Sequence, residues 1–73
     1  MAPGADPVSI RVNGEVLDVS ATETVAGILR ARGVQVEAVA VAVNGAVVPR
    51  SLLQERRLAA GDSVEVVRAV GGG

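Results

Sequence analysis

Two Asn-Gly dipeptides, Asn13-Gly14 and Asn44-Gly45, each sit between apolar runs and constrain this chain more than any other feature. Asn-Gly is the strongest short hairpin signal, because a two-residue type I′ turn needs positive φ at both central positions. Val8-Ser9-Ile10-Arg11-Val12 alternates with period two before the first pair, and Glu15-Val16-Leu17-Asp18-Val19 does so after it. A two-residue turn sets Val12 against Glu15, Ile10 against Leu17 and Val8 against Val19. Five of those six residues are apolar, while the opposite face holds Ser9, Arg11, Val16 and Asp18. A hairpin over residues 8–19 follows. The second pair opposes Val43 with Ala46 and Val41 with Val48, after a strand from Val39 to Val43. Pro49 cannot donate to a ladder, so the returning strand is short and lies at an edge.

Between the hairpins, Val25, Ile28, Leu29 and the stem of Arg32 fall at i, i+3, i+4 and i+7, one stripe of a helix running from Ser20 or Thr22 to Gly33. Ser20-x-x-Glu23 has the capping-box form, and Thr22 or Thr24 caps equally well. Gly33 stands where a left-handed C-terminal cap is expected, and Arg30 and Arg32 complement the negative end of the dipole. Gly27 inside the helix either permits close approach to a sheet or is merely tolerated. Residues 50–60 form an irregular or single-turn helical connector carrying Leu52, Leu53 and Leu58. Gly61-Asp62 then turns the chain into a last strand, Ser63 to about Ala69. Residues 1–7 hold two prolines and no periodicity and are expected to be a disordered lead-in. The domain spans 8–70, with a flexible Gly tail at 71–73. Val8, Ile10, Val12, Leu17, Val19, Val25, Ile28, Leu29, Val41, Val43, Leu58, Val64 and Val66 are the expected core.

Hairpin, helix, hairpin, connector and strand make an α+β domain with one helix to cover one sheet face. A chain of 73 residues has room for only one domain. Periodicity alone does not fix strand order; placing the last strand in mid-sheet, parallel to the first, gives by analogy a mixed-sheet β-grasp arrangement.

Composition then narrows the chemistry. Cys and His are absent, which removes soft metal sites, disulfides, thiol nucleophiles and imidazole bases. The hydroxyls of Ser9, Ser20, Thr22, Thr24, Ser51 and Ser63 have neither His nor Lys to activate them. Glu15, Asp18 and Glu65 read as solvated strand positions rather than a catalytic pair. A net charge of −1 and the lack of any aromatic ring argue against nucleic acid as a partner. The longest apolar run, Ala38 to Val43, is far short of the ~20 residues needed to span a bilayer. The first residues show neither a basic n-region nor an apolar h-region, so a cytoplasmic location is expected. The chain reads as a small carrier or binding module, not an enzyme.

Gly71-Gly72-Gly73 is the informative end. Without Cβ atoms, such a tail passes through a narrow channel in almost any backbone conformation. Five extended residues from Ala69 to Gly73 reach up to ~17 Å, enough to present an α-carboxylate in a partner's buried site. A frayed terminus or a linker has the same composition. Val16, Ala40, Ala42, Val47 and Val67 fall opposite the expected core, and an apolar sheet face left uncovered by the helix suggests partner docking. Arg50, Arg56, Arg57 and Arg68 either meet an acidic partner groove or are solvated surface charge.

Val39-Ala40-Val41, Asn44-Gly45, Val47-Val48-Pro49-Arg50-Ser51 and Gly61-Asp62-Ser63-Val64-Glu65-Val66-Val67, ending in Gly71-Gly72-Gly73, resemble the thiamine-biosynthesis sulfur carrier family, ThiS. Asn13-Gly14-Glu15 and Thr24-Val25 extend the resemblance over residues 8–73. Members often carry an aromatic residue where this chain has Leu52-Leu53. The resemblance implies a β-grasp fold and a reactive Gly73 carboxylate. A ThiF-like adenylating enzyme would activate it with ATP and Mg²⁺, and a sulfur donor protein would convert it to a thiocarboxylate. Thiazole synthase (ThiG) would take the sulfur. The chain itself would bind no cofactor and no metal. The molybdopterin-synthase small subunit, carriers for cysteine or tRNA thiolation and ubiquitin-like modifiers share the fold and the Gly-Gly end, and stay open as alternatives. Lacking Lys, the chain cannot form Lys-linked polymers of itself.

Overall fold

The computed structural model describes residues 7–68. Its elements are β1 (Pro7–Val12), β2 (Glu15–Ser20), α1 (Val25–Ala31), β3 (Val39–Val43), β4 (Ala46–Val48) and β5 (Ser63–Arg68). Single 3-10 turns at Val36–Ala38 and Arg50–Leu52 complete them. The strands form one sheet in the order β2-β1-β5-β3-β4, with β5 parallel to β1 and antiparallel to β3. That is the β-grasp arrangement, and β4 is at the edge as Pro49 requires.

Both hairpins take the expected registers. Val12 faces Glu15, Ile10 faces Leu17 and Val8 faces Val19, while Val43 faces Ala46 and Val41 faces Val48. Each turn has two positive φ angles, 51° and 87° at Asn13-Gly14 and 54° and 86° at Asn44-Gly45. β1 begins at Pro7, one residue inside the expected lead-in; as a first residue Pro7 leaves the ladder intact. Residues 1–6, and with them the rest of that lead-in, lie outside the described residues.

The helix is shorter than expected at its N-terminal end. Thr24 is the cap, its Oγ1 accepting the Gly27 N–H at 3.1 Å. Ser20 instead accepts the Thr22 N–H outside the helix. The start is decided by the connector: the Arg56 carbonyl takes the Val25 N–H at 2.9 Å and the Leu53 carbonyl takes the Ala26 N–H at 3.0 Å. The first-turn donors thus find partners that only the tertiary structure supplies. At the other end the Gly33 N–H donates to the Arg30 carbonyl and the Val34 N–H to that of Leu29, a Schellman cap with Gly33 at φ 81°. Gly27 does not serve close approach to the sheet. A Cβ there would meet the Glu23 carboxylate at 2.6 Å and Thr24 Oγ1 at 3.3 Å.

Ile10, Val12, Val25, Ile28, Leu29, Val41, Val43, Leu58 and Val64 are buried between sheet and helix as expected. Val8, Leu17, Val19 and Val66 are only half-buried at the margins. Ala26, Val36 and Leu53 complete the core. Arg32 stays outside it, paired with Glu15 at 3.0 Å across the end of the first hairpin. No helix among the described residues is long and apolar enough to cross a membrane.

Asp62 anchors the start of β5. Its Oδ2 accepts the Ala59 N–H at 2.8 Å, its Oδ1 accepts Asn44 Nδ2 at 2.9 Å, and Arg56 lies 3.8 Å away. Burial pushes the carboxyl up, but the Ala59 N–H, the Asn44 amide and Arg56 outweigh it and hold the group below its ordinary value of 3.8. A depressed folded-state pKa stabilises above the unfolded pKa and loses that contribution as pH falls through the folded value. Asp62→Ala strands the Asn44 and Ala59 donors and is expected to cost about 2 kcal/mol at pH 7. Urea titrations of both proteins should show the gap closing below about pH 4. A gap independent of pH would count against an ionised Asp62 as the anchor.

Candidate functional site

The sheet face away from α1 is built by alternation. Glu65 and Val67 on β5, Ala40 and Ala42 on β3, and Val47 on β4 project from it, opposite the residues that face the helix. Val67 pairs with Ala40, and Ala42 lies between Glu65 and Val47. The two alanines keep the centre low, so the valines stand above it, Val47 at 74% and Val67 at 63% exposure. Val16 is 60% exposed on the same face but sits apart. Its neighbour across β1 is Arg11, whose own partner on β5 is Ser63. The expected docking residues therefore divide into a Val47–Val67 patch around β3 and an isolated Val16 on the far hairpin.

Sequence pattern did not single out Leu52. In the Leu52-Leu53 doublet the 3-10 turn sends Leu53 into the core and leaves Leu52 46% exposed. Leu52 lines a shallow groove with Val47, Val48 and Pro49, which carries the apolar surface around the β4 edge. The doublet itself was the signal, since one tight turn cannot bury two adjacent side chains on the same side.

Among the acidic residues, Asp18 accepts a hydrogen bond from Ser9 Oγ at 2.7 Å and Glu15 pairs with Arg32. Neither forms a carboxylate pair with Glu65. No group of three or more His, Cys, Asp or Glu among the described residues is placed to hold a metal ion. Arg50 donates to the Glu37 carbonyl at 2.8 Å, and Arg56 reaches the Arg57 carbonyl and Asp62. Gly71, Gly72 and Gly73 lie outside the described residues; β5, from which they follow in sequence, is described as far as Arg68.

A search of curated proteins finds no match to this chain. The crystal structure of a thiamine biosynthesis protein (ThiS) from Geobacter metallireducens is similar to it, with a TM-score of 0.78 and 33% identity. The match covers 90% of this chain and 100% of that one. The ThiS family profile matches residues 7–73, from the first residue of β1 through the terminal glycines, so a mixed five-stranded sheet, one capping helix and a Gly-Gly-Gly end come together in a chain that belongs to the ThiS family.

Proposed function

We propose that this chain is a sulfur carrier of thiamine biosynthesis, whose Gly73 carboxylate is the group that reacts. The observation that carries the reading is the family match running to residue 73, joined to a likeness to a ThiS protein at 33% identity. The carboxylate oxygen of Gly73 attacks the α-phosphorus of ATP on a ThiF-like adenylating enzyme, with Mg²⁺ on the nucleotide, and pyrophosphate leaves. Hydrosulfide, released by the donor protein or added as sulfide, then attacks the carbonyl carbon, AMP leaves, and after loss of the proton a thiocarboxylate remains for thiazole synthase (ThiG). The nucleotide, the metal and the sulfur donor protein belong to the partners. This chain supplies a carboxylate on a narrow stem and a surface that places it, as a co-substrate acting in the cytoplasm. Intact mass after incubation with the adenylating enzyme, ATP, Mg²⁺ and sulfide should rise by one oxygen-to-sulfur exchange. An unchanged mass would refute the carrier reading.

The docking surface is the patch carrying Val47 and Val67, extended by Leu52, while Val16 stands apart on the far hairpin as a second contact point. Apolar side chains that exposed bury area only when a partner covers them. Val67→Asp is expected to leave unfolding free energy within ~0.5 kcal/mol, since the side chain already faces water. It should weaken binding to the adenylating enzyme at least ~10-fold, a loss of ~1.4 kcal/mol read by titration calorimetry. Wild-type affinity in that variant would move the docking surface elsewhere.

A further inference from the structure

β1 and β5 share only two register pairs, Arg11 with Ser63 and Val12 with Val64. At Asn13 the chain turns away into the first hairpin, so β5 runs on past the end of its neighbour. On the other flank β3 continues to pair with β5 as far as Arg68, which faces Val39. One side chain makes up the difference. Asn13 Oδ1 accepts the Val66 N–H at 2.8 Å and Nδ2 donates to the Val66 carbonyl at 3.2 Å. The carboxamide stands in for both bonds that a continued β1 would have made to Val66, which in a parallel ladder come from two successive alternate residues. Asn44 makes a related but different bridge at the opposite end of β5, where Oδ1 accepts the Ser63 N–H at 2.9 Å and Nδ2 donates to Asp62 Oδ1. A type I′ turn alone does not demand this, because glycine adopts positive φ at lower cost.

We propose that Asn13 is a positioning residue for the chemistry at Gly73: its carboxamide clamps the second flank of β5 at Val66 and so sets the direction in which the chain leaves the sheet. The inference rests on the reading of Gly73 as the reacting terminus, seven positions beyond Val66. Held on one flank, β5 pivots about its pairing with β3. A pivot of roughly 10° about Val66 displaces the end of a seven-residue extended stem, up to ~24 Å away, by about 4 Å. Acyl transfer is sensitive to far less, since a 1 Å misplacement can cost about 10²-fold in rate.

The test uses three variants, assayed at a temperature where circular dichroism shows all of them folded. Asn13→Gly keeps the turn and removes the carboxamide, Asn13→Asp keeps the acceptor and removes the donor, and Asn44→Gly removes the carboxamide of the other turn, with its bonds to Ser63 and Asp62, away from the tail. In thiocarboxylate formation, Asn13→Gly should lower kcat about 10-fold with KM for the carrier within about 2-fold, because the docking face is untouched. Asn13→Asp should lose less, and Asn44→Gly should keep the wild-type kcat. In the free protein, the Val66 amide should exchange faster in Asn13→Gly and not in Asn44→Gly. A wild-type kcat in Asn13→Gly, or an equal loss in Asn44→Gly, overturns the positioning role. Unchanged Val66 exchange in Asn13→Gly overturns the clamp itself. A wild-type chain that never gains sulfur overturns the carrier reading, and the positioning role with it.

Discussion

Deletion of Gly73 is expected to abolish thiocarboxylate formation while leaving the folded domain as stable as before. The reacting carboxylate then belongs to Gly72 and falls short by about 3.5 Å, the length of one extended residue. A channel built to hold the acyl group in line with the α-phosphorus cannot follow it, and the rate should drop by at least about 10²-fold. Gly72→Val tests the same stem differently. It preserves length but adds a β-branched side chain where a narrow passage admits only backbone, and it restricts the φ and ψ the tail can adopt. Neither change touches the described core, whose buried member on β5 is Val64, with the half-buried Val66 packed against it. Unfolding free energies should therefore stay within ~0.5 kcal/mol of wild type. Intact mass spectrometry reads the chemistry and urea denaturation reads the fold. Sulfur gained at the wild-type rate by either variant would refute a threaded tail.

Much of the fold was legible because its strongest signals are local. Asn13-Gly14 and Asn44-Gly45 dictate both turn length and register, and the alternating residues then assign each face. Gly33 likewise marks the helix end through its positive φ alone. The helix start was not legible. Ser20, Thr22 and Thr24 compete on equal terms, and the choice falls to the carbonyls of Arg56 and Leu53, more than twenty residues away in sequence. Val36 and Leu53 joined the core through single 3-10 turns, too short for any periodicity to show.

The candidate site divides in the same way. Alternation correctly turned Val16, Val47 and Val67 outward, but which of them share a patch depends on strand order. β1 and its Arg11 separate Val16 from the others. The second task of Asn13 is a tertiary fact, because its partner Val66 lies 53 positions further along the chain. A turn residue chosen for φ and a side chain chosen for a ladder are the same letter in the sequence.

Leu29→Ala is expected to bring the domain close to unfolding. Leu29 is 1% exposed on α1 and belongs to the cluster formed with Ile10, Val41 and Val64 beneath it. The chain has no aromatic ring, so no large side chain can swing into the space left behind. The valines that dominate the sheet are stiff at χ1 and adjust little. Leucine-to-alanine losses run from about 2 to 5 kcal/mol and grow with the cavity that remains, which places this site near 4 kcal/mol. Alanine's better helix propensity returns only a few tenths. For a chain of this length, total stability is about 4–11 kcal/mol, so a loss of that size removes a large share of it. Leu29→Met conserves volume and should cost less than about 1.5 kcal/mol, which separates cavity formation from any general intolerance of the position. The two variants compared by urea midpoint decide the matter. A Leu29→Ala loss below ~1 kcal/mol would mean that helix and sheet are not held together by this contact, and the single-layer core described above would need another keystone.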